Sequence, residues 1–330
     1  MRERRSVRER YSGAPMRRPL AKSSDVVLCG AGGLAQALAP ALGKSGLRLT
    51  LWSRKPAQAR ALARRTALAR AEPELEVALL SAPIVLLAVS DPALRDMTRR
   101  IALTKLVGRG SVVLHHSGFH GAQVLAVLQR QGAAVGSLHP LFAFRRTAKL
   151  ADIQGAWFTT EGDPRARAAA RNLVRAFGGR ELALGSSASK ARYHLGAALL
   201  ANGTVGLFEL ALFELERAGA GRKAARAALA SLLASTARNL REAEPSAALT
   251  GPIARGDAEL VRGHLAIARA SSAEVYRALA PVLLRLAREA GLSAHDARSI
   301  ERALARPRPR PHARSRTRSQ ARKRSSPRED

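Results

Sequence analysis

The sequence predicts a doubly wound, parallel α/β sheet followed by an all-helical second domain. Three observations predict it. The apolar run Val26-Val27-Leu28-Cys29 leads directly into Gly30-Ala31-Gly32-Gly33-Leu34-Ala35. Short apolar runs then alternate with helix-forming stretches from residue 26 to residue 140. From 186 to 305 the pattern becomes helical throughout. Strands alternating with helices indicate a parallel sheet covered on both faces.

The first strand is apolar at every position, as expected of a strand buried on both faces. It runs into a G-x-G-x-x-A turn, and the Ala-rich stretch Ala35–Leu42 continues as a helix. This is the dinucleotide-binding, or Rossmann, fingerprint. Gly30 allows the sharp turn, and Gly32 leaves no side chain between backbone and diphosphate. Ala35 is small enough for helix and strand to pack closely. The backbone of Gly30, Ala31, Gly32, Gly33, Leu34 and Ala35 would place phosphates at a helix N-terminus, where free N–H groups and the helix dipole favour negative charge.

Leu47–Trp52 reads as the second strand and ends at Ser53-Arg54. Eighteen residues past Ala35, an NAD site would carry a carboxylate for the ribose hydroxyls. A hydroxyl and a guanidinium stand here instead. The guanidinium fork suits a phosphate, so Ser53 and Arg54 favour NADP, with NAD the alternative. The segment 57–71 reads as helical. Ala82–Val89 is a further buried strand, and Ser90-Asp91-Pro92 marks a turn and helix start at the cofactor side. Ser111–His116 and Ala133–Leu138 follow as strands, ending in Ser117-Gly118 and His139-Pro140. Ligands bind outside the carboxyl ends of such strands, which makes Ser90, Ser117 and His139 cleft candidates. Residues 157–184 add a strand, a helix and a short strand.

In the second part, Ala191–Leu215 is a long, nearly all-apolar helix, which implies burial on most sides. Helices follow over 221–241, 257–268, 272–289 and 293–305, with a break at 249–257. The predicted organisation is a basic extension at 1–22, a nucleotide-binding domain at 23–185, a helical substrate and dimerisation domain at 186–305, and a basic tail at 306–330.

Of the 330 residues, 46% are hydrophobic and one is a cysteine, so the chain should fold without an internal disulfide. Cys29 lies inside the first strand and reads as a small core residue. The N-terminus is charged and offers no apolar leader, and a cytoplasmic, membrane-free protein is expected. The net charge of +31 is partly held in the two ends. Such ends would attract nucleic acid only non-specifically, if at all.

The order of parts resembles the β-hydroxyacid dehydrogenase superfamily, with a Rossmann domain before a helical domain of the 6-phosphogluconate dehydrogenase type. Ketopantoate reductase, pyrroline-5-carboxylate reductase and prephenate dehydrogenase share this layout. More closely, the chain is similar to bacterial Rossmann-like proteins whose C-terminal domain has no assigned function. The resemblance covers about residues 24–290. It rests on the fingerprint, Leu87–Asp91, His116-Ser117-Gly118, Gly136–Leu141, Lys190 with Tyr193-His194, Asn202, the long motif Leu249–Asp257, and His264.

The better-known dehydrogenases carry a catalytic lysine with asparagine four residues later. Here Lys190 is followed at that spacing by His194, which shares a helix face with it. The resemblance implies Lys190 and His194 as the catalytic pair, with either of them the proton donor, and Asn202 as an anchor for a carboxylate or amide. Ser117, His139, Thr250 and Arg255 would contact substrate, Arg255 as an anion clamp. No metal site is expected. The implied function is an NADP-linked oxidoreductase moving hydride to or from a small, carboxylate-bearing carbonyl or imine substrate. It would act as a homodimer built through 186–305. The alternative is a non-catalytic dinucleotide sensor, or a nucleic-acid-associated protein using its basic ends.

Overall fold

Strand β1 (Val26–Cys29) is wholly buried, and its side chains alternate between two cores. Val26 and Leu28 face one side of the sheet, and Val27 and Cys29 the other. This two-faced burial is why the run is apolar without a break. In this computed structural model, residues 25–80, 83–144, 153–185 and 187–305 are described. The expected basic ends, 1–22 and 306–330, lie outside them.

The first of two compact units extends to Thr204. It holds an eight-stranded sheet in the order β3-β2-β1-β4-β5-β6-β7-β8. After β1 come α1 (Gly33–Lys44), β2 (Leu49–Trp52), α2 (Pro56–Ala63), β3 (Ala69–Ala71) and α3 (Leu75–Leu79). Next are β4 (Ile84–Leu87), α4 (Asp91–Thr104), β5 (Val112–His115), a 3-10 turn at Ala122–Leu125, α5 (Ala126–Gln129) and β6 (Ala134–Leu141). The unit continues with β7 (Trp157–Gly162), α6 (Pro164–Ala176) and β8 (Arg180–Glu181). All pairings are parallel except β6 with β7. The order reverses direction between β1 and β4, where a ligand crevice opens.

Two features depart from the sequence expectation. Residues 57–71 are not one helix: α2 ends at Ala63, and Ala69–Ala71 pairs with β2 in register Leu49↔Ala69. Ala-Arg-Ala has little strand preference of its own. The open edge of β2 supplies the hydrogen bonds that make it a strand. The apolar helix α7 (Ser187–Arg217) is also left largely uncovered by the other described residues. Leu195, Leu199, Leu200 and Val205 remain 59–72% exposed. By length and composition alone, Lys190–Arg217 could cross a membrane.

The boundary between the compact units falls inside α7, after Thr204. The second unit continues through α8 (Arg222–Glu242), α9 (Pro245–Ala248), α10 (Pro252–Arg255), α11 (Ala258–Ile267), α12 (Ala270–Glu289) and α13 (Ala294–Leu304). Its core gathers Ile253, Val261, Ala280, Leu284, Ala287, Ala297 and Ile300. Much of the motif Leu249–Asp257 builds this unit. Ile253 is buried, and the Asp257 carboxylate caps α11 by accepting from Leu260 N at 3.0 Å. Gly256 has φ +75°, and a Cβ there would stand 2.7 Å from the Asp296 side chain.

Candidate active site

A cleft of about 700 Å³ opens at the carboxyl ends of β1, β2 and β4. It is lined by Gly30, Ala31 and Gly32, by Trp52 to Lys55, by Ala88 to Ser90, and by one face of α4. Gly30 has φ +134°, and a Cβ there would meet the Ala88 carbonyl oxygen at 2.1 Å. No other residue fits that turn without moving the backbone. At Gly32, the N-cap of α1, a Cβ would meet nothing within 4 Å. Its bare backbone therefore faces open space at the start of a twelve-residue helix. This cradle fits a diphosphate. Gly33 and Leu34 form the first turn of α1, and Ala35 is fully buried against the sheet. Ser53 is buried, its hydroxyl accepting from Lys55 N at 3.3 Å, while Arg54 is exposed at the rim. Ser90 stands at the N-cap position of α4, its side chain making no capping bond, and Asp91 begins the helix.

A second group of polar side chains gathers at the ends of the neighbouring strands β5 and β6. Their register, His115↔Ser137, brings Ser117 and His139 to the same edge of the sheet. Ser117 is buried, and its hydroxyl accepts from Phe119 N and His120 N at 3.2 and 2.9 Å, shaping the turn after β5. His115 is a framework residue. Its Nδ1 accepts from Ser117 N, and its Nε2 lies 3.1 Å from the Gly121 carbonyl. His116 Nδ1 bonds the Leu138 carbonyl, and its buried Nε2 has no partner among the described residues. Burial holds His115 well below the ordinary histidine range and brings His116 to about 4.

His139 and Tyr193 pair directly, with Nδ1 and the phenol oxygen 2.7 Å apart. Burial, reinforced by the charge of Lys190, brings His139 down to about 3. Burial also pushes the Tyr193 phenol up to about 12. Both groups are therefore neutral near pH 7, so the phenol donates and Nδ1 accepts. That fixes the His139 proton on Nε2. From α7, His194 turns its Nδ1 to the same place, buried and without a partner among the described residues. The two nitrogens converge on Gly118, where a Cβ would lie 2.7 Å from His139 Nε2 and 2.8 Å from His194 Nδ1. A glycine after Ser117 is what lets both rings close in. Phe119 meets His194 edge-on at 6.3 Å between ring centres and is itself half exposed, giving this spot an apolar wall.

Lys190 sits deeper than its neighbours on α7. It is 1% exposed, donates to Ser137 Oγ at 2.5 Å, and lies 3.7 Å from Glu161 Oε2. Burial lowers its pKa to about 8, opposed by the Glu161 charge. Glu161 also accepts from Ala122 N at 3.3 Å, tying β7 to the turn after β5. The structure thus brings Ser117, His139, Lys190 and His194 together. Asn202 stands exposed further along α7. Thr250 and Arg255 are exposed residues of the second unit. Among the described residues no group of three or more His, Cys, Asp or Glu could hold a metal ion.

Sequence reasoning gave no role to Tyr193, Ser137 or Glu161. Tyr193 lies in the quoted motif beside His194, three residues past Lys190, so helix periodicity could have placed it. Glu161 comes from the antiparallel strand β7, and no local signal marks it.

Residues 16–140 match the model of a Rossmann-like domain, and residues 156–282 match that of a domain of unknown function, DUF2520. No curated protein matches the chain by sequence. Among solved structures, the chain is similar to a Thermotoga maritima protein at 22% identity, covering 80% of this chain and 99% of that one, with a TM-score of 0.61. A candidate NADP oxidoreductase from Bacteroides fragilis matches at 24% identity, over 85% of this chain and 99% of that one, with a TM-score of 0.57. A reductive aminase from Aspergillus terreus, in complex with NADPH and ethyl-5-oxohexanoate, matches at 19% identity over 86% of this chain and 94% of that one, with a TM-score of 0.50. These likenesses establish a shared fold. The chain joins a Rossmann-like domain to a domain of the DUF2520 family.

Proposed function

We propose that this chain is an NADP-dependent oxidoreductase that reduces a carbonyl or imine group of a small molecule, or runs the reverse oxidation. The carrying observation is the convergence of His139 Nε2 and His194 Nδ1 on Gly118, at strand ends adjacent to the glycine-lined cleft. Further support comes from similar folds named as an NADP oxidoreductase and as a reductive aminase in complex with NADPH. Ser53 and Arg54, in the place of an acidic residue, favour the phosphorylated cofactor. Its chemistry, when bound, is hydride transfer at the nicotinamide ring.

The residues of the chain supply the rest. Gly30 to Ala35 would hold the diphosphate, and Ser90 and Asp91 would border the nicotinamide half. His139 presents Nε2–H to the substrate and donates that proton to the oxygen or nitrogen being reduced, while Tyr193 replaces it at Nδ1. His194 offers a second polar atom for the same group. Lys190, enclosed by Ser137 and Glu161, adds a positive charge to the burial that keeps the His139 imidazole neutral. Roles for Asn202, Thr250 and Arg255 as substrate contacts belong to this same proposal, as does a homodimer built on the exposed face of α7. A soluble protein fits the first turns of α7, which hold Lys190 and Tyr193 against β6 and β7.

A panel of small ketones, offered with and without an amine, tests the reading by NADPH consumption. Turnover should appear with some members and fall at least tenfold in Tyr193→Phe, whose fold should be unaltered by circular dichroism. Consumption that is identical in wild type and Tyr193→Phe would remove the His139–Tyr193 pair from the chemistry.

A further inference from the structure

Cations gather at one end of the cleft, where β2 stops. Arg54 and Lys55 follow that strand, and Arg100 approaches from α4. The residues of α4 that line the cleft are Ala93, Asp96, Met97 and Arg100. Their spacing is that of a single helix face, so Arg100 is delivered to the cleft by the turn of α4. Its guanidinium carbon lies 5.0 Å from the centre of the Trp52 ring. Trp52 is buried, and its indole N–H donates to the Pro73 carbonyl at 3.2 Å, so the ring is pinned. A guanidinium resting over a fixed indole keeps its N–H edges free for another partner. Among the described residues, no ion pair engages Arg54, Lys55 or Arg100, and the acid that lines the cleft, Asp96, faces Arg99 at 3.8 Å.

We propose that Arg100 is a second specificity-determining cation for the 2′-phosphate of the cofactor, positioned by Trp52 opposite Arg54. The inference rests on the reading of the cleft as an NADP site. Its content is that selectivity does not reside at the end of β2 alone. A phosphate dianion there would meet guanidinium groups from a strand end and from a helix, two elements whose spacing the sheet fixes. A site with such a grip should discriminate strongly, because each charge-assisted contact is lost when the phosphate is absent.

The test uses the full chain with 2′,5′-ADP and 5′-AMP as probes, which isolate the adenosine end from turnover. Binding is measured by calorimetry for wild type, Arg100→Met and Arg100→Lys, with thermal unfolding as the folding control. Arg100→Met should weaken 2′,5′-ADP by about tenfold to a hundredfold, the range for a hydrogen bond to a charged group, and leave 5′-AMP within about twofold. Arg100→Lys should retain part of the affinity. Unchanged 2′,5′-ADP binding in Arg100→Met, with the wild-type preference intact, overturns the proposal and leaves the cofactor reading standing. Equal losses for both probes overturn it too, since Arg100 would then serve the nucleoside and not the phosphate. If wild type binds neither probe, the cofactor reading fails, and the proposal with it.

Discussion

At the scale of the residue, the site depends on histidines held neutral. His116 is brought to about 4 and His139 to about 3, and His115 is also lowered, in each case chiefly by burial. The unfolded chain titrates these groups near 6.5. Between that value and their folded pKa values the unfolded state binds more protons, so stability falls as pH falls. Each such proton contributes a slope of about 1.4 kcal/mol per pH unit. Denaturant unfolding between pH 7 and pH 4 should show a steep loss, and His116→Asn with His139→Asn should flatten it. A stability that stays level across that range would contradict the burial assigned to these rings. The residues themselves were only partly legible in the sequence. His139 and Ser117 could be placed because they end strands. The contact between His139 and Tyr193 joins positions 54 residues apart and follows from packing that no local pattern encodes.

At the scale of the element, β1, β4 and β5 were readable because strands buried on both faces require nearly unbroken apolar runs. β2, interrupted by Thr50, and β6, interrupted by Gly136 and Ser137, were readable from their position between helix-forming stretches. β3 was not, because its partner's edge imposes it on a sequence that prefers helix. α7 shows the other limit. Its apolar composition gave its existence, but composition cannot say what covers it. Leu195, Leu199, Leu200 and Val205 leave a larger apolar face open than soluble monomers usually tolerate. A second copy of the chain is the expected cover. Sedimentation at micromolar concentration should give a dimer, and Leu199→Glu with Leu200→Glu should release monomers that remain folded. A monomeric wild type would contradict the dimer.

At the scale of the whole molecule, the two compact units divide the labour differently from a boundary drawn at residue 185. The first unit reaches Thr204 and so takes in Lys190, Tyr193 and His194. The fold alone does not fix an activity, and many chemistries share this sheet. Function therefore rests on the site, and first on the glycine cradle and the cations at the end of β2. Trp52 lines that cleft and should report its occupancy. The most direct test is a titration of the protein with NADPH and with NADH, followed by tryptophan quenching. NADPH should bind at least tenfold more tightly, and Arg54→Ala should weaken NADPH severalfold while changing NADH little. Equal binding of the two cofactors, or binding of neither, would contradict the central claim.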